Sequence, residues 1–199
     1  AEEGHLDVVK YLVEKCGLVY ELQLYQALSH VAEEGHLDAV KYLVEKCGQA
    51  DEFQLRQAVR HAVEKGHLDV VKYLVEKCGQ ADEALDLAAV RGRLDVVKYL
   101  VEKCGQADEF RLHQALDHAA VRGRLDVVKY LVEKCGLADK APLHQALGGA
   151  AERGHLDVVK YLVEKCGQAD KFGSLALILA VEGRHFDVMK YLVENGGQV

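Results

Sequence analysis

Six cysteines are the first residues of this sequence whose type and spacing could do chemistry. Each stands at the same position of a recurring segment: Cys16, Cys47, Cys78, Cys104, Cys135 and Cys166. Equivalent positions in stacked helical units lie about 8 to 10 Å apart, whereas a disulfide needs Cα atoms within about 7 Å. No Cys-x-x-Cys pair occurs. The pattern predicts free, mostly buried thiols and a reducing compartment, cytoplasmic or nuclear.

Ten histidines are the next candidates, because imidazole binds metals. Four of them follow a glycine: His5, His36, His67 and His155. Three more share a position in an earlier helix: His30, His61 and His118. No third or fourth ligand converges on any neighbouring pair, and no His-Glu-x-x-His occurs. We therefore expect structural or surface histidines, with no metal and no cofactor.

No motif of an enzyme is present. The dinucleotide glycine motif, the phosphate-binding loop and the nucleophile elbow are all absent from the sequence. Ser29 and Ser174 are the only serines, and Ser29 has His30 beside it in the chain rather than facing it. The sequence predicts a protein that is not an enzyme.

The charge balance and the hydropathy exclude two classes of binding partner. Lys and Arg number 25 against 32 Asp and Glu, a formal net charge of −7. Binding to a phosphate backbone needs clustered cations, so we expect no nucleic acid. No apolar run approaches the roughly 18 to 20 residues of a membrane span, and the first residues do not resemble a signal peptide, so we expect no membrane.

An internal repeat accounts for nearly the whole chain. The segment GHLDVVKYLVEKCG recurs almost unchanged, with its Asp at Asp7, Asp38, Asp69, Asp95, Asp126, Asp157 and Asp187. The intervals are 31, 31, 26, 31, 31 and 30 residues. The copies lie at 4–17, 35–48, 66–79, 92–105, 123–136, 154–167 and 184–197. The interpretation is one repeat array over 1–199, without a linker or second domain.

Each unit is predicted to contain two helices. In the second unit, apolar residues recur at helical spacing from about residue 20 to 34 and again from about 36 to 47. Gly48 follows at the position of a left-handed C-terminal cap. Later units begin the first helix at an aspartate that we expect to be the N-cap: Asp51, Asp82, Asp108, Asp139 and Asp170. One such pair cannot bury its own apolar stripe, so neighbours must stack into an all-α solenoid of about seven helix-turn-helix units.

The repeated segment resembles the second half of an ankyrin repeat. Leu85-Asp86-Leu87-Ala88-Ala89 resembles the Leu-His-Leu-Ala-Ala of that family, and Gly-Gln-Ala-Asp resembles its Gly-Ala-Asp. The resemblance covers all seven units. It implies protein binding through a concave surface lined by the first helices, and a histidine after the glycine that forms hydrogen bonds between repeats.

The sequence departs from the ankyrin pattern in three ways. The period is 31 residues rather than the usual 33. The Asp-Gly turn of the ankyrin β-hairpin is missing, and residues 51–56 extend the periodicity of the first helix backwards, so a longer helix is expected to replace the hairpin. The first copy lacks its first helix, which suggests an excerpt from a longer array, either monomeric or weakly self-associating through the uncapped N-terminal end.

The copies differ mainly in the first helix, whereas the second is nearly constant. One variable position holds Tyr25, Arg56, His113 and His144; four residues later stand Ser29, Arg60 and Asp117; after four more come Glu33, Glu64, Val90, Val121 and Glu152, with Arg91 beside Val90. The spacing i, i+4, i+8 places these residues on one side, which we name the helix-1 face. The resemblance assigns the last position to the concave binding face of the family.

We interpret the chain as a non-enzymatic scaffold that binds another protein through the helix-1 face. Two alternatives stay open at this point. The segment could be a structural spacer within a longer repeat protein. It could also be an engineered or recently duplicated array without a dedicated partner, since variation on an exposed face costs little.

The fourth unit is five residues short, because the interval from Asp69 to Asp95 is 26. At about 1.5 Å per residue, its first helix should lose about 7.5 Å. Residues beside the gap would then lack a packing partner: Phe53, Leu55, Phe110 and Leu112. We expect a bend in the stack with a residual apolar notch lined by these four side chains.

Overall fold

The computed structural model describes residues 6–7, 9–11, 14, 21–46, 52–103, 109–134, 141–166 and 171–195. Every complete element in these ranges is an α-helix. The first helices of the units are α1 (Glu21–Glu34), α3 (Glu52–Lys65), α5 (Ala81–Arg91), α7 (Glu109–Val121), α9 (Ala141–Glu152) and α11 (Lys171–Glu182). The second helices are α2 (Leu37–Lys46), α4 (Leu68–Cys78), α6 (Leu94–Lys103), α8 (Leu125–Lys134), α10 (Leu156–Cys166) and α12 (Phe186–Asn195). The predicted all-α helical-repeat class is confirmed.

The second helices form because their sequence carries all the local signals for a helix. In α4, Asp69 lies in the first turn and Lys77 in the last, so both complement the helix dipole. Val70 and Leu74 belong to its buried stripe. The helix ends at Gly79, whose φ of 68° is left-handed and whose N–H donates to the Val75 carbonyl at 2.9 Å. The cap expected at Gly48 lies outside the described residues.

The first helices bury alanines together with larger apolar residues, and the alanines allow the helices to pack closely on one another. The buried residues of α3 are Ala58, Val59, Ala62 and Val63, and those of α7 are Ala115, Leu116, Ala119 and Ala120. Helix α3 begins at Glu52 and α7 at Glu109, so the predicted backward extension of the first helix is confirmed in both units.

The contacts divide the chain into two compact units, Ala1–Ala88 and Ala89–Val199, with the boundary inside α5. In the first unit, α1 packs on α2 and α3, and α3 packs on α4. In the second, α9 lies between α7 and α11, and each of these three helices packs on the second helix of its own repeat. None of the helices in the described ranges is both long and apolar enough to span a membrane.

The short fourth unit compensates for part of its missing residues. Helix α5 has 11 residues against 14 in α3 and 13 in α7. It begins at Ala81, two residues after Gly79, whereas α3 and α7 each begin four residues after the corresponding glycine. The prediction of a loss of about 7.5 Å is therefore wrong, because two or three fewer residues shorten the helix by about 3 to 4.5 Å.

The same shift in the start of α5 changes the role of Asp82. This aspartate is the second residue of the helix, so it lies inside the helix and is not its N-cap. The prediction of an N-cap at Asp82 is therefore wrong. The charge of Asp82 still lies in the first turn, where an acid favours the helix dipole. The other four predicted N-caps, Asp51, Asp108, Asp139 and Asp170, lie outside the described residues.

A hydrogen bond from the residue before a second helix connects successive repeats at several junctions. His67 Nε2 donates to the Glu33 carbonyl at 2.8 Å, and His155 Nε2 to the Val121 carbonyl at 3.0 Å. Where arginine replaces this histidine, Arg124 Nε donates to the Val90 carbonyl at 3.0 Å. Each acceptor belongs to the last turn of a first helix, where carbonyls lack helical partners. The inter-repeat role of the histidine that the resemblance implied is confirmed.

Candidate helix-1 binding face

The structure places the predicted partner-binding residues on the first helices. Ser29 and Glu33 lie on α1, Arg56, Arg60 and Glu64 on α3, Val90 and Arg91 on α5, His113, Asp117 and Val121 on α7, and His144 and Glu152 on α9. All of these side chains are half-buried or exposed. Tyr25 lies in α1, but its side chain is outside the described residues. The assignment of these residues to partner binding stays a prediction.

In the first compact unit, Arg56 connects two neighbouring repeats through carboxylates. Its guanidinium lies 3.1 Å from Glu52, one turn earlier in α3, and 3.6 Å from Glu83 on α5. The Glu52 carboxylate also accepts a hydrogen bond from Gln80 at 3.0 Å. With 40% of its side chain exposed, Arg56 remains open to an incoming carboxylate while its own pairs hold it in place.

Two further ion pairs lie farther along the same helices. Arg60 Nε is 3.6 Å from Glu64, one turn ahead in α3. Lys65 Nζ is 3.1 Å from Glu33 and so joins α3 to α1. The hydrogen bond from Lys65 and its positive charge lower the pKa of the Glu33 carboxyl below its ordinary value. Glu33 is therefore ionised at neutral pH.

We expect Lys65→Met to raise the pKa of the Glu33 carboxyl towards its ordinary value. Because the pKa of Glu33 is lowered in the folded state, the pair stabilises the protein at pH values above the ordinary carboxyl pKa. This stabilisation is lost as the pH falls through the pKa of the folded state. Carbon-detected NMR titration of the glutamate carboxyls measures the shift. The control is Lys72→Met on the exposed side of α4, which should leave Glu33 unchanged; an equal shift in both variants would contradict the pairing.

In the second compact unit the helix-1 face carries fewer charges. His113 Nε2 lies 3.8 Å from Glu109, and Arg111 donates to the Gln114 side chain at 3.3 Å.

Gly149 stands where α1, α3 and α7 carry a histidine. A Cβ atom there would lie 2.6 Å from Cγ2 of Val121, so the missing side chain lets α9 approach α7 closely.

A groove of about 370 Å³ lies between α1 and α3 in the first compact unit. Gln26, Ser29, His30 and Glu33 line it from α1, and Phe53, Gln54 and Gln57 line it from α3. Only Ser29 and Glu33 belong to the predicted contact residues. Phe53 was predicted to line the notch and His30 was considered as a possible metal ligand, but neither was assigned to partner binding. The three glutamines were not predicted, because the predicted contact residues are those that vary between the copies. The overlooked signal is a constant column, since glutamine recurs at Gln26, Gln57, Gln114 and Gln145.

The four residues of the expected notch fall in different compact units. Phe53 and Leu55 belong to the first unit, and Phe110 and Leu112 belong to the second. The two phenylalanines are 63% and 64% exposed, whereas the two leucines are half-buried. The notch itself stays a prediction.

Two of the six cysteines lie within the described ranges, and both are free thiols. Cys166 is buried, and Cys78 is half-buried with its Sγ donating to the Leu74 carbonyl at 3.0 Å. Burial raises the pKa of the Cys78 thiol. The prediction of buried thiols is confirmed at Cys166 and only partly met at Cys78. Cys16, Cys47, Cys104 and Cys135 lie outside the described residues.

We expect both described thiols to react slowly with iodoacetamide at pH 8 in the native protein. Only the thiolate reacts, and burial of Cys78 moves its ionisation to higher pH than the usual value of about 8.5. Mass spectrometry of the alkylated peptides measures each site, with urea-unfolded protein as the reference. Native rates equal to the unfolded rates would contradict the assignment of these residues to the apolar stripe.

The constant second helices carry a repeated contact between tyrosine and lysine. In the second compact unit, the Tyr130 ring lies 5.7 Å from Lys98 Nζ and 6.0 Å from Lys134 Nζ. The Tyr161 ring is held in the same way by Lys129 and Lys165 at 5.9 and 5.4 Å. Each ring thus contacts one lysine of its own helix and one of the preceding repeat. Cation–π contacts of this kind give these tyrosines and lysines a structural role at the junctions between repeats.

Within the described part of the chain, no group of three or more His, Cys, Asp or Glu side chains gathers to hold a metal ion. The expectations of no metal and no cofactor stay predictions.

Comparison with known proteins identifies the kind of repeat. The family model described as ankyrin repeats matches in three copies, over residues 1–82, 61–142 and 135–199. Together these matches cover the whole chain. No curated protein matches the sequence significantly.

Proposed function

We propose a function from the premise that this chain belongs to the ankyrin-repeat family. Ankyrin repeats generally mediate protein–protein interaction. The proposed function is a non-enzymatic scaffold that binds a partner protein through the helix-1 face, used as a concave surface. A reducing compartment, cytoplasmic or nuclear, is proposed with it.

The observation that carries the proposal is the contrast between the two helices of each repeat. Constancy of the second helix follows from structural needs, because its apolar stripe is buried and its tyrosines and lysines contact neighbouring repeats. The side chains that vary on the first helix are instead half-buried or exposed to solvent. Variation at solvent-accessible positions on a rigid support is what partner selection requires.

The close packing of the first helices supports the choice of the concave side. In each compact unit, neighbouring first helices contact one another more extensively than neighbouring second helices do. Small buried residues such as Ala58 and Ala62 in α3 allow this approach. Such close approach of neighbouring first helices is what a concave helix-1 surface requires.

A spacer without a partner is the second candidate, and one observation favours it. Arg56, Arg60 and Lys65 already pair with carboxylates of the array. Two of these pairs, Arg56–Glu83 and Lys65–Glu33, join neighbouring repeats without any ligand, as a structural segment would need. The two functions differ in whether the intact array captures a specific protein.

We expect Arg56→Ala and Arg60→Ala each to weaken the binding of a captured partner by about 1 kcal/mol or more, which is a loss of about fivefold in affinity. Arginine is enriched among the residues that dominate interface energies. Because exposed ion pairs contribute only about 0 to 1 kcal/mol, the melting temperature should change little. Biolayer interferometry with a partner identified by quantitative pull-down measures the affinities.

The matched controls are Lys72→Ala and Glu76→Ala, which remove exposed charges from α4 in the same compact unit. Their partner affinity should stay within twofold of the unmodified chain. Larger losses in these controls than in the arginine variants would place the binding surface on the second helices. Failure of the intact array to capture any specific protein would favour the spacer.

A further inference from the structure

The groove between α1 and α3 in the first compact unit has a chemistry of its own. It combines three glutamine amides, a hydroxyl, an imidazole, one carboxylate and one aromatic ring. Sites for small molecules are mostly apolar and enclosed, with only a few polar groups. A site for nucleic acid would present cations, whereas the ionisable groups of this lining are a histidine and a glutamate.

The glutamine side chains match the needs of a peptide backbone. Each side-chain amide offers two donors and one acceptor, and a peptide bond requires one partner of each kind. Gln26 and Gln57 occupy equivalent positions of successive repeats, 31 residues apart, and both line the groove. An extended chain between α1 and α3 can therefore exchange hydrogen bonds with both of them.

The two ends of the groove differ in polarity. Phe53 is 63% exposed near the start of α3, and it occupies the repeat position that Leu22 occupies in α1. Glu33 lies 11 residues beyond Leu22, which is about 16 Å along a helix. An extended chain covers that distance with about five residues at roughly 3.3 Å each.

The carboxylate of Glu33 can accept a second cation. Lys65 approaches one of its oxygens, Oε1, at 3.1 Å, and an ionised carboxylate offers about four lone-pair sites on its two oxygens. The side chain of Glu33 is half-buried, with 36% exposed, so a ligand can still reach it. A partner cation at this end would share the carboxylate with Lys65.

We propose that this groove binds an extended peptide segment of a partner protein, with an apolar or aromatic side chain against Phe53 and a lysine or arginine at Glu33, four or five residues apart. Gln26, Gln54 and Gln57 hold the peptide backbone between these ends. The inference rests on the proposed function, because it names the class of partner that part of the helix-1 face selects.

Random decapeptides displayed on phage and selected on the full chain test the inference. The enriched peptides should share an apolar or aromatic residue with a basic residue four or five positions away. Fluorescence anisotropy with the best synthetic peptide should show affinity losses of about tenfold for Phe53→Ser and for Glu33→Gln. Replacing the basic residue of that peptide by alanine should abolish the effect of Glu33→Gln.

Matched controls come from the fifth repeat, where the same positions carry Phe110 and Gln114. Phe110→Ser and Gln114→Ala should leave the peptide affinity within twofold, whereas Gln57→Ala should lower it. Circular dichroism melting checks that every variant is folded.

Three outcomes would overturn the inference. If no peptide is enriched, or if the enriched peptides are insensitive to Phe53, Gln57 and Glu33, the groove is not a peptide site. If they depend on Arg56 and Arg60 instead, the inference fails while the proposed function stands. If they depend on Lys72 and Glu76, both fail.

Discussion

Gly123→Ala is expected to destabilise the protein by about 3 kcal/mol, because it combines a backbone cost with a collision. Gly123 has a φ of 67°, a left-handed conformation that costs a residue with a side chain about 1 to 2 kcal/mol. A Cβ atom there would lie 2.5 Å from Nδ1 of His155. Moving the ring away would break its hydrogen bond to the Val121 carbonyl, at a further cost of about 1 to 2 kcal/mol.

Gly79→Ala is the matched control, since Gly79 has a φ of 68° but no atom within 4 Å of an added Cβ. It should cost only the backbone term of about 1 to 2 kcal/mol. In a His155→Ala background, Gly123→Ala should also cost only about 1 to 2 kcal/mol, because the collision is removed. Urea unfolding midpoints measure all four variants. Equal costs for Gly123→Ala and Gly79→Ala in the unmodified background would contradict the packing at this junction.

Leu131→Ala is expected to cost about 3 kcal/mol, within the range of about 2 to 5 kcal/mol for buried leucines. Leu131 is fully buried in α8, so its truncation leaves a cavity in the shared core. Leu125→Ala in the same helix is the control, because Leu125 is half-buried, and about 1 kcal/mol is expected there. Thermal and urea unfolding measure both. A larger loss for Leu125→Ala would mean that the buried stripe of α8 has been misassigned.

The helices of ordinary repeats could be predicted closely from sequence. Residues 36–47 were expected as a second helix and Leu37–Lys46 is found; the range 20–34 was expected as a first helix and Glu21–Glu34 is found. The helical spacing of the apolar residues and the glycine that follows a helix are local signals, and they fix the ends of these helices. The start of α5 could not be predicted in this way. Helix α5 begins at Ala81, three residues before its buried Ala84, and no local signal in the sequence marks that start.

The details of the candidate site depend on side-chain geometry that repeat spacing does not encode. Arg56 has acids within reach in its own helix and in the next repeat, and only the structure shows that it approaches Glu52 and Glu83 together. Exposed ion pairs differ by too little energy to be chosen from sequence. The groove beside Phe53 could not be predicted for another reason, because the glutamine at positions 26 and 57 does not vary and so does not distinguish one repeat from another.

Site-specific photo-crosslinking tests the central claim, that the helix-1 face binds the partner, most directly. A benzophenone amino acid is placed at Arg60 and at Asp117 on first helices, and at Lys72 and Glu164 on second helices. Each chain is incubated with the same cell extract and irradiated. One covalent partner is expected at both the Arg60 and the Asp117 positions, and it should be absent from the other two. A partner captured from Lys72 and Glu164 but not from Arg60 or Asp117 would contradict it.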